Sequence, residues 1–543
     1  MILPLVLAIV ASYVIATVIY NLFFHPLAST PGPLLARISC LPSFYHACKG
    51  DRHLWIWKQF QIHGDKIRAA PDLILFNTTR AYADIYGPRA NTTRSAFYKM
   101  WQRSEHDVNT ITATDPVLHA KKRRLLNLAF TEQSLKAASP FLVRHIDRWA
   151  ELLVGEVDAG TEQDEVKNAA LGGKRLWSSP RNMATWIDYL VFDLLGDLCF
   201  GQDFKTKEPG ENKLKSLPHL IMKHVAVGYK LSKFPLLRLI LWLKPRSLNA
   251  VMDRVRHKDI KDYSAFIENS VDQRIESYKS SSSSPSSSSV REDMFHFLIT
   301  AKDPETNLPA FSRDHLLSEA RLLVLAGTDT SATTICALFF YLVHNPAKLA
   351  KLVSEIRSEF SSLDDITLGP RLSQAKYLRA CIDETLRLSH PAPSELPREV
   401  LSGGATIDGM FYPAGIVVGC ANWSLGHNES VYGDANTFRP ERWIPDEINT
   451  ETDILNLRKG FHPFSIGPGN CAGQKVAMLE LLLTFARTLW RLDVRIADGE
   501  KVKVGEGSKE CGQDQKEPKQ MVVKDAFLCL KDGPIVQFRR REM

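Results

Sequence analysis

The sequence predicts a mostly helical protein with a minor β region, preceded by an N-terminal membrane-spanning helix. Three observations carry that expectation. Residues Ile2 to Phe24 contain no Lys, Arg, Asp or Glu, and as a helix they reach about 34 Å, enough for a hydrocarbon core of about 30 Å. Ser312 to Asn345 reads as one helix of over thirty residues, which Ser312 caps and Pro346 ends. Phe464 to Gly473 is a turn rich in glycine, and a helical run from Lys475 to Leu492 follows it.

Composition sets the outer bounds. A chain of 543 residues has a length prior of about three or four domains, and 44% hydrophobic residues supply a large core. The net charge of +7 is mild for this length and does not indicate a nucleic-acid partner. Nine cysteines form an odd set without a Cys-x-x-Cys pair, which argues against a zinc site or a disulfide framework and for a reducing compartment. Asn77, Asn91, Asn422 and Asn428 begin glycosylation sequons, which would be acceptors only in the secretory lumen.

Taken in order, the apolar segment 1–24 is an anchor. It is too long for a cleaved signal peptide and has no basic segment before it. Arg37, Lys49, Arg52 and Lys58 follow it, which places the remainder on the cytosolic side. Residues 25–37 hold Pro26, Pro31 and Pro33 and read as a stiff, non-helical hinge. Lys66 to Thr78 reads as strand, turn and strand.

Asp115-Pro116 opens a basic helix in which His119 and Arg123, four apart, share a face. Lys121, Lys122 and Arg124 form either a solvated face or a docking surface for an acidic redox partner. Met183 to Phe200 reads as a buried helix stopped by Gly201. His219 to Arg246 is expected to be a core helix, with Lys233 to Lys244 as a stretch able to dip into a bilayer surface. Ser280 to Ser289, nine serines and a proline, reads as a flexible connector.

At the centre of the long helix lies Ala326-Gly327-Thr328-Asp329-Thr330-Ser331. A glycine among hydroxyl and carboxylate side chains is expected to distort the helix and make room for a ligand. Ala326 and Thr330 share a face, and Asp329 adjoins Thr330. An acid beside an alcohol is a pair able to pass protons. Tyr377 to Ser389 is a further helix with Glu384 and Arg387 at i, i+3, a pair that alone carries almost no signal. Ile407-Asp408-Gly409-Met410 and Lys531-Asp532-Gly533-Pro534 read as hairpin turns.

Cys471 ends the glycine turn at a helix N-terminus, where unpaired N–H groups and the helix dipole favour a thiolate. A lone cysteine there is ordinarily core packing. The spacing Phe464-x-x-Gly467-x-x-x-Cys471-x-Gly473 changes the odds. From this chain's own residue frequencies such a match arises by chance in about one chain per thousand.

This loop resembles the heme-binding loop of the cytochromes P-450. Ala326 to Ser331 is similar to that family's oxygen-activation motif, and Phe438-Arg439-Pro440-Glu441-Arg442-Trp443 follows the Glu-x-x-Arg pair as it does there. Phe23-Phe24-His25-Pro26-Leu27 and Pro31-Gly32-Pro33 resemble the anchor and hinge of fungal microsomal members.

The resemblance implies one cytochrome P-450 catalytic domain over residues 38–543, in place of the several that length suggested. It implies heme b with Cys471 as axial thiolate, cradled by Phe464, Gly467 and Gly473. His119, Arg123 and Arg398 would hold the propionates, and Glu384, Arg387 and Arg442 would form a structural triad. Asp329 and Thr330 would deliver protons.

The activity implied is insertion of one oxygen atom from O2 into a lipophilic small molecule of fungal secondary metabolism. NADPH-cytochrome reductase would be the partner, and the enzyme would be a single-pass protein of the endoplasmic reticulum membrane. A heme-dependent isomerase or dehydratase of an oxygenated lipid, or a non-catalytic heme binder, is the alternative; neither needs Asp329 beside Thr330. Ser95 to Thr114 and Phe204 to Lys261 are the candidate pocket segments. One position departs from the family pattern: Gly469 stands where arginine is usual. Either other cations, with His119, Arg123 and Arg398 as candidates, make up for the missing arginine, or the glycine is kept for a type II turn with positive φ, which is the favoured reason.

Overall fold

The computed structural model describes residues 2–102, 107–155, 177–255, 258–283, 293–303, 306–499, 504–508, 515 and 517–542. The long helix Arg313–Val343 is buried along most of its length, and Ser312 Oγ caps it by accepting from the His315 N–H. A helix apolar nearly all round needs partners on every side. The helices Met183–Phe200, Lys376–Leu388 and Gln474–Arg491 supply them. The helix is continuous from Arg313 to Val343, with no interruption at Gly327. The glycine serves packing instead: a Cβ there would lie 2.8 Å from Leu195 Cδ1 of the neighbouring helix.

Small sheets flank this helical core. Lys66–Ala70 and Leu73–Phe76 form the expected strand pair and open a five-stranded sheet that continues through Val417–Cys420, Arg398–Val400 and Thr92–Arg94. Ile407 and Met410 close a hairpin whose turn residues Asp408 and Gly409 have φ of 51° and 80°. The second expected hairpin does not form. Leu528–Leu530 pairs with Lys524–Ala526, whereas Ile535–Arg540 pairs with Leu492–Ile496, so Lys531 to Pro534 connects two sheets.

At the N-terminus, Leu3–Phe24 has a mean hydropathy of 2.3, and its apolar window buries nothing against the rest of the protein. The hinge is helical at its end, over Leu34–Ile38, and is fastened rather than loose. The fully buried Arg68 donates from Nη1 to the Asn21 carbonyl (2.6 Å), and its backbone N–H bonds the Pro31 carbonyl at 2.7 Å.

The expectation of a core helix holds for Leu217–Ser232, which buries Ile221, Val225 and Tyr229. It fails for Leu237–Leu243, which buries no residue and leaves Leu239 and Trp242 exposed beside Leu236. Phe234 packs edge-on against Phe44, so this apolar face adjoins the N-terminal segment, where Leu34, Leu35, Leu41 and Tyr45 are exposed. The serine run is helical as far as Ser283, and its remainder lies outside the described residues.

Candidate active site

The Phe464–Gly473 loop is held by its own backbone. The Cys471 N–H bonds the Phe464 carbonyl at 2.8 Å and the Asn470 N–H bonds the Gly467 carbonyl at 3.1 Å. Gly467 has φ +64°, and a Cβ on it would lie 2.2 Å from the Tyr86 carbonyl oxygen, so this position excludes any side chain. Gly473 begins the helix Gln474–Arg491, and Phe464 packs on the core. Cys471 is thereby exposed to a cavity of about 450 Å³ lined mainly by apolar side chains.

Burial pushes the Cys471 thiol up, against the N–H groups of Gly473 and Gln474 and the charge of Arg123. The helix end alone therefore does not hold a thiolate; coordination to a metal cation is what deprotonates such a sulfur.

The long helix forms another wall. Thr330 lines the cavity with Ala326, and its Oγ1 donates to the Ala326 carbonyl at 2.7 Å. Asp329 does not share that face. It is buried, with Oδ1 at 3.2 Å from Lys531 Nζ, and Lys531 in turn lies 2.9 Å from Asp188. Desolvation raises the Asp329 carboxyl to about 6, opposed by Lys531 and reinforced by Asp188. The acid and the alcohol are thus neighbours in sequence that point apart, as successive residues on a helix do.

Another acid lines the cavity itself. Glu480 Oε2 accepts from Ser331 Oγ at 2.7 Å, and Oε1 has no partner among the described residues. Burial pushes its carboxyl up to about 7, with only the Ser331 hydroxyl working against it. The folded state therefore binds this proton more tightly than the unfolded chain. The associated stability is complete below the ordinary carboxyl range and is lost as pH rises through about 7. Glu480→Gln keeps an acceptor for Ser331. It is expected to melt nearly as the parent does at about pH 5, and to be more stable by up to about 3 kcal/mol at about pH 8. Equal melting differences at both pH values in calorimetry would contradict the assignment.

Cations gather where the loop meets the five-stranded sheet. Arg123 donates through both Nη atoms to Asn470, to its carbonyl and, at 2.7 Å, to its Oδ1. Arg398 is buried and bonds Tyr98 Oη at 3.2 Å. His119 is buried with Nε2 unpartnered, and desolvation followed by Arg94, Arg123 and Arg398 holds it down at about 3. Arg94, which sequence reasoning missed, lines the cavity beside them.

The basic helix is less open to a partner than its sequence suggested. Lys122 is buried against Glu319 at 3.6 Å, whereas Lys121 and Arg124 are exposed.

Behind the loop, Glu384, Arg387 and Arg442 meet with no exposure of their side chains. Arg387 lies 2.8 Å and Arg442 3.0 Å from Glu384 Oε1, and Trp443 Nε1 donates to Oε2 at 2.9 Å. Burial opposes the charge on Glu384, yet the two guanidiniums hold its carboxyl below the usual range.

Heme b fits this set. A sulfur is presented on a loop stripped of side chains at Gly467 and Gly469, and the buried His119, its Nε2 unpartnered, stands among guanidiniums that no carboxylate of the described residues neutralises.

Comparison with known proteins agrees. A family model for cytochrome P-450 matches residues 86–520. The chain is 34% identical over 528 residues to the cytochrome P-450 monooxygenase poxM of Penicillium oxalicum, across 97% of this chain and 93% of that one. It is 32% identical over 542 residues to the cytochrome P-450 monooxygenase apf7 of Gibberella fujikuroi, across 98% and 97%. Against the cytochrome P-450 monooxygenase AKT7 of Alternaria alternata it is 32% identical over 538 residues, across 98% and 96%. The chain belongs to the cytochrome P-450 family, whose members bind heme b through an axial cysteine thiolate, and it is an oxidoreductase of the monooxygenase type.

Proposed function

We propose that this enzyme inserts one oxygen atom from O2 into a lipophilic small molecule of fungal secondary metabolism, using electrons that NADPH-cytochrome reductase draws from NADPH. The observation that carries the reading is the shared cavity: the Cys471 sulfur and the Thr330 hydroxyl line one apolar space, with Leu194, Ile221 and Val225 among its walls. Heme b, when bound, supplies the iron that activates dioxygen.

The chain supplies the rest. Cys471 is the ligand, and the Gly473 and Gln474 N–H groups spread its charge. His119, Arg123 and Arg398 hold the carboxylates of the cofactor. Thr330 Oγ1 presents lone pairs to the cavity while its own proton rests on the Ala326 carbonyl. Burial raises the Asp329 carboxyl to about 6, and Lys531, held charged between Asp329 and the partly exposed Asp188, fixes its position on the long helix. Apolar walls exclude water and select a lipophilic substrate. The fungal monooxygenases to which the chain is similar support the setting.

The test is metabolite profiling of a strain lacking this enzyme, followed by turnover of the accumulated compound under ¹⁸O2. One heavy oxygen atom in the product is expected. A product formed without it would sink the reading in favour of an isomerase or dehydratase.

The segment 1–24 is assigned as a single-pass anchor in the endoplasmic reticulum membrane, with 25–37 as hinge and 38–543 as a cytosolic catalytic domain. Support comes from the sequons. Asn77, Asn91, Asn422 and Asn428 all commit their side-chain amides to hydrogen bonds within the protein, which a glycan would break. All eight cysteines among the described residues are also free. Deleting residues 1 to 24 is expected to shift most of the protein from the membrane to the soluble fraction. Complete retention would transfer the anchoring role to the face formed by Leu236, Leu239 and Trp242.

A further inference from the structure

Gly469 is not in the left-handed region of backbone conformation, so the turn geometry expected from Pro468-Gly469 does not explain it. Its surroundings do. A Cβ added at Gly469 would lie 2.9 Å from Arg398 Nη2 and 4.0 Å from Arg94 Nη2. The Arg398 guanidinium therefore stands where a Cβ at 469 would be, and the Arg94 guanidinium lies in ordinary contact just beyond it.

Their arrangement has a cost that the polypeptide alone does not offset. Arg94 and Arg398 are register partners on adjacent antiparallel strands, and like charges directly opposite each other in a sheet repel. Arg398 at least bonds neutral oxygens, those of Tyr98, Leu396 and Pro397. Arg94 is half-buried, and among the described residues its side chain has no hydrogen bond or ion pair, only the Tyr98 ring at 5.9 Å. Burial, followed by Arg398 and Arg123, depresses it to about 10. A half-buried, unpartnered cation facing a cavity beside a second cation is a site for an anion.

We infer that Arg94 supplies the carboxylate-binding cation that a side chain at position 469 would otherwise give, and that Arg94 and Gly469 work as a pair: the bare backbone at 469 lets the Arg398 guanidinium close in, with the Arg94 guanidinium in contact beside it. The ligand is a carboxylate of heme b, so the inference rests on the function proposed above. Arg94 is a cofactor-holding residue that reaches the site from a strand almost four hundred residues before the loop it serves.

The experiment measures the rate at which the full-length holoenzyme loses heme to excess apomyoglobin, with the red-shifted Soret band of the reduced carbon-monoxide complex recorded for each variant. Arg94→Gln is expected to lose heme roughly ten- to a hundredfold faster, the size of one charge-assisted hydrogen bond. Gly469→Arg alone is expected to hold heme no more tightly than the parent, because its guanidinium enters space already taken. Arg94→Gln combined with Gly469→Arg is expected to recover most of the loss.

Parental retention in Arg94→Gln would overturn the inference. So would tighter binding in Gly469→Arg alone, or a double variant no better than Arg94→Gln. If Arg94→Gln proves too unstable to load, recovery of loading in the double variant supports the pairing, and continued failure overturns it. A parent protein without the red-shifted band would instead bring down the heme-thiolate reading itself.

Discussion

Glu384→Ala is expected to give almost no folded protein. The carboxylate is wholly buried, and its two oxygens accept from Arg387, Arg442, Trp443 and the Arg439 N–H. Removing it takes a carboxylate from two guanidiniums with no exposure to water. Breaking one buried pair in this way costs about 3–5 kcal/mol; here Arg387 loses its carboxylate partner outright, while Arg442 keeps Asp434 at 3.0 Å. A domain's whole stability is about 5–15 kcal/mol. Arg387 also donates to the Gly426 and Ala435 carbonyls, so its displacement would loosen the segment that packs behind the cysteine loop. Glu384→Gln keeps one acceptor oxygen and is expected to be milder. The check is soluble yield and heme content at a fixed expression level. Parental values for Glu384→Ala would show that the triad does not hold the fold together.

Thr330→Ala is expected to leave heme content and spectrum unchanged and to cut product formed per NADPH, by as much as a hundredfold, at the low end of what a positioned proton donor contributes. Hydrogen peroxide should rise to balance the electrons. The change is conservative structurally, since alanine is the best helix former and the lost hydroxyl bonds only its own helix, at the Ala326 carbonyl. Thr330→Ser should retain most of the coupling. Because Asp329 faces Lys531 and not the cavity, Asp329→Asn should slow turnover with less effect on the peroxide ratio. Parental coupling in Thr330→Ala would remove the hydroxyl from the proton path.

These outcomes rest on features of unequal legibility. The long helix and the cysteine loop could be read from sequence because their signals are local: a cap and a terminating proline, and glycines at fixed offsets; the Glu384–Arg387–Arg442 triad came only from the family resemblance, since the i, i+3 pair says little alone and Arg442 lies far along the chain. Glycine was harder to interpret. Pro468-Gly469 looked like the strained turn, yet the residues of this loop with positive φ are Ser465 and Gly467, and at Gly467 the Tyr86 carbonyl also bars a side chain. Adjacency misled as well, because Asp329 and Thr330 lie side by side in the chain and on different faces of the helix.

The residues that were missed have partners far away in sequence. Arg94 meets Arg398 only through strand pairing, and Lys531 meets Asp329 only because the Lys531 to Pro534 segment bridges two sheets instead of turning back. Glu480 did leave a trace, one carboxylate in the apolar run Met478-Leu479-Glu480-Leu481-Leu482. A buried charge without an evident partner is the kind of signal that deserves a functional hypothesis. The exposed helix Leu237–Leu243 had one too, since its apolar residues are interrupted by no helix-period polar face.

The most direct test of the account is the reduced carbon-monoxide spectrum of Cys471→Ser beside that of the parent. The parent should show the strongly red-shifted Soret band of a thiolate-ligated heme, and Cys471→Ser should lose it, because a serine oxygen does not push electron density into the iron as a thiolate sulfur does. A red-shifted band that survives in Cys471→Ser would mean that the sulfur lining this cavity is not the ligand.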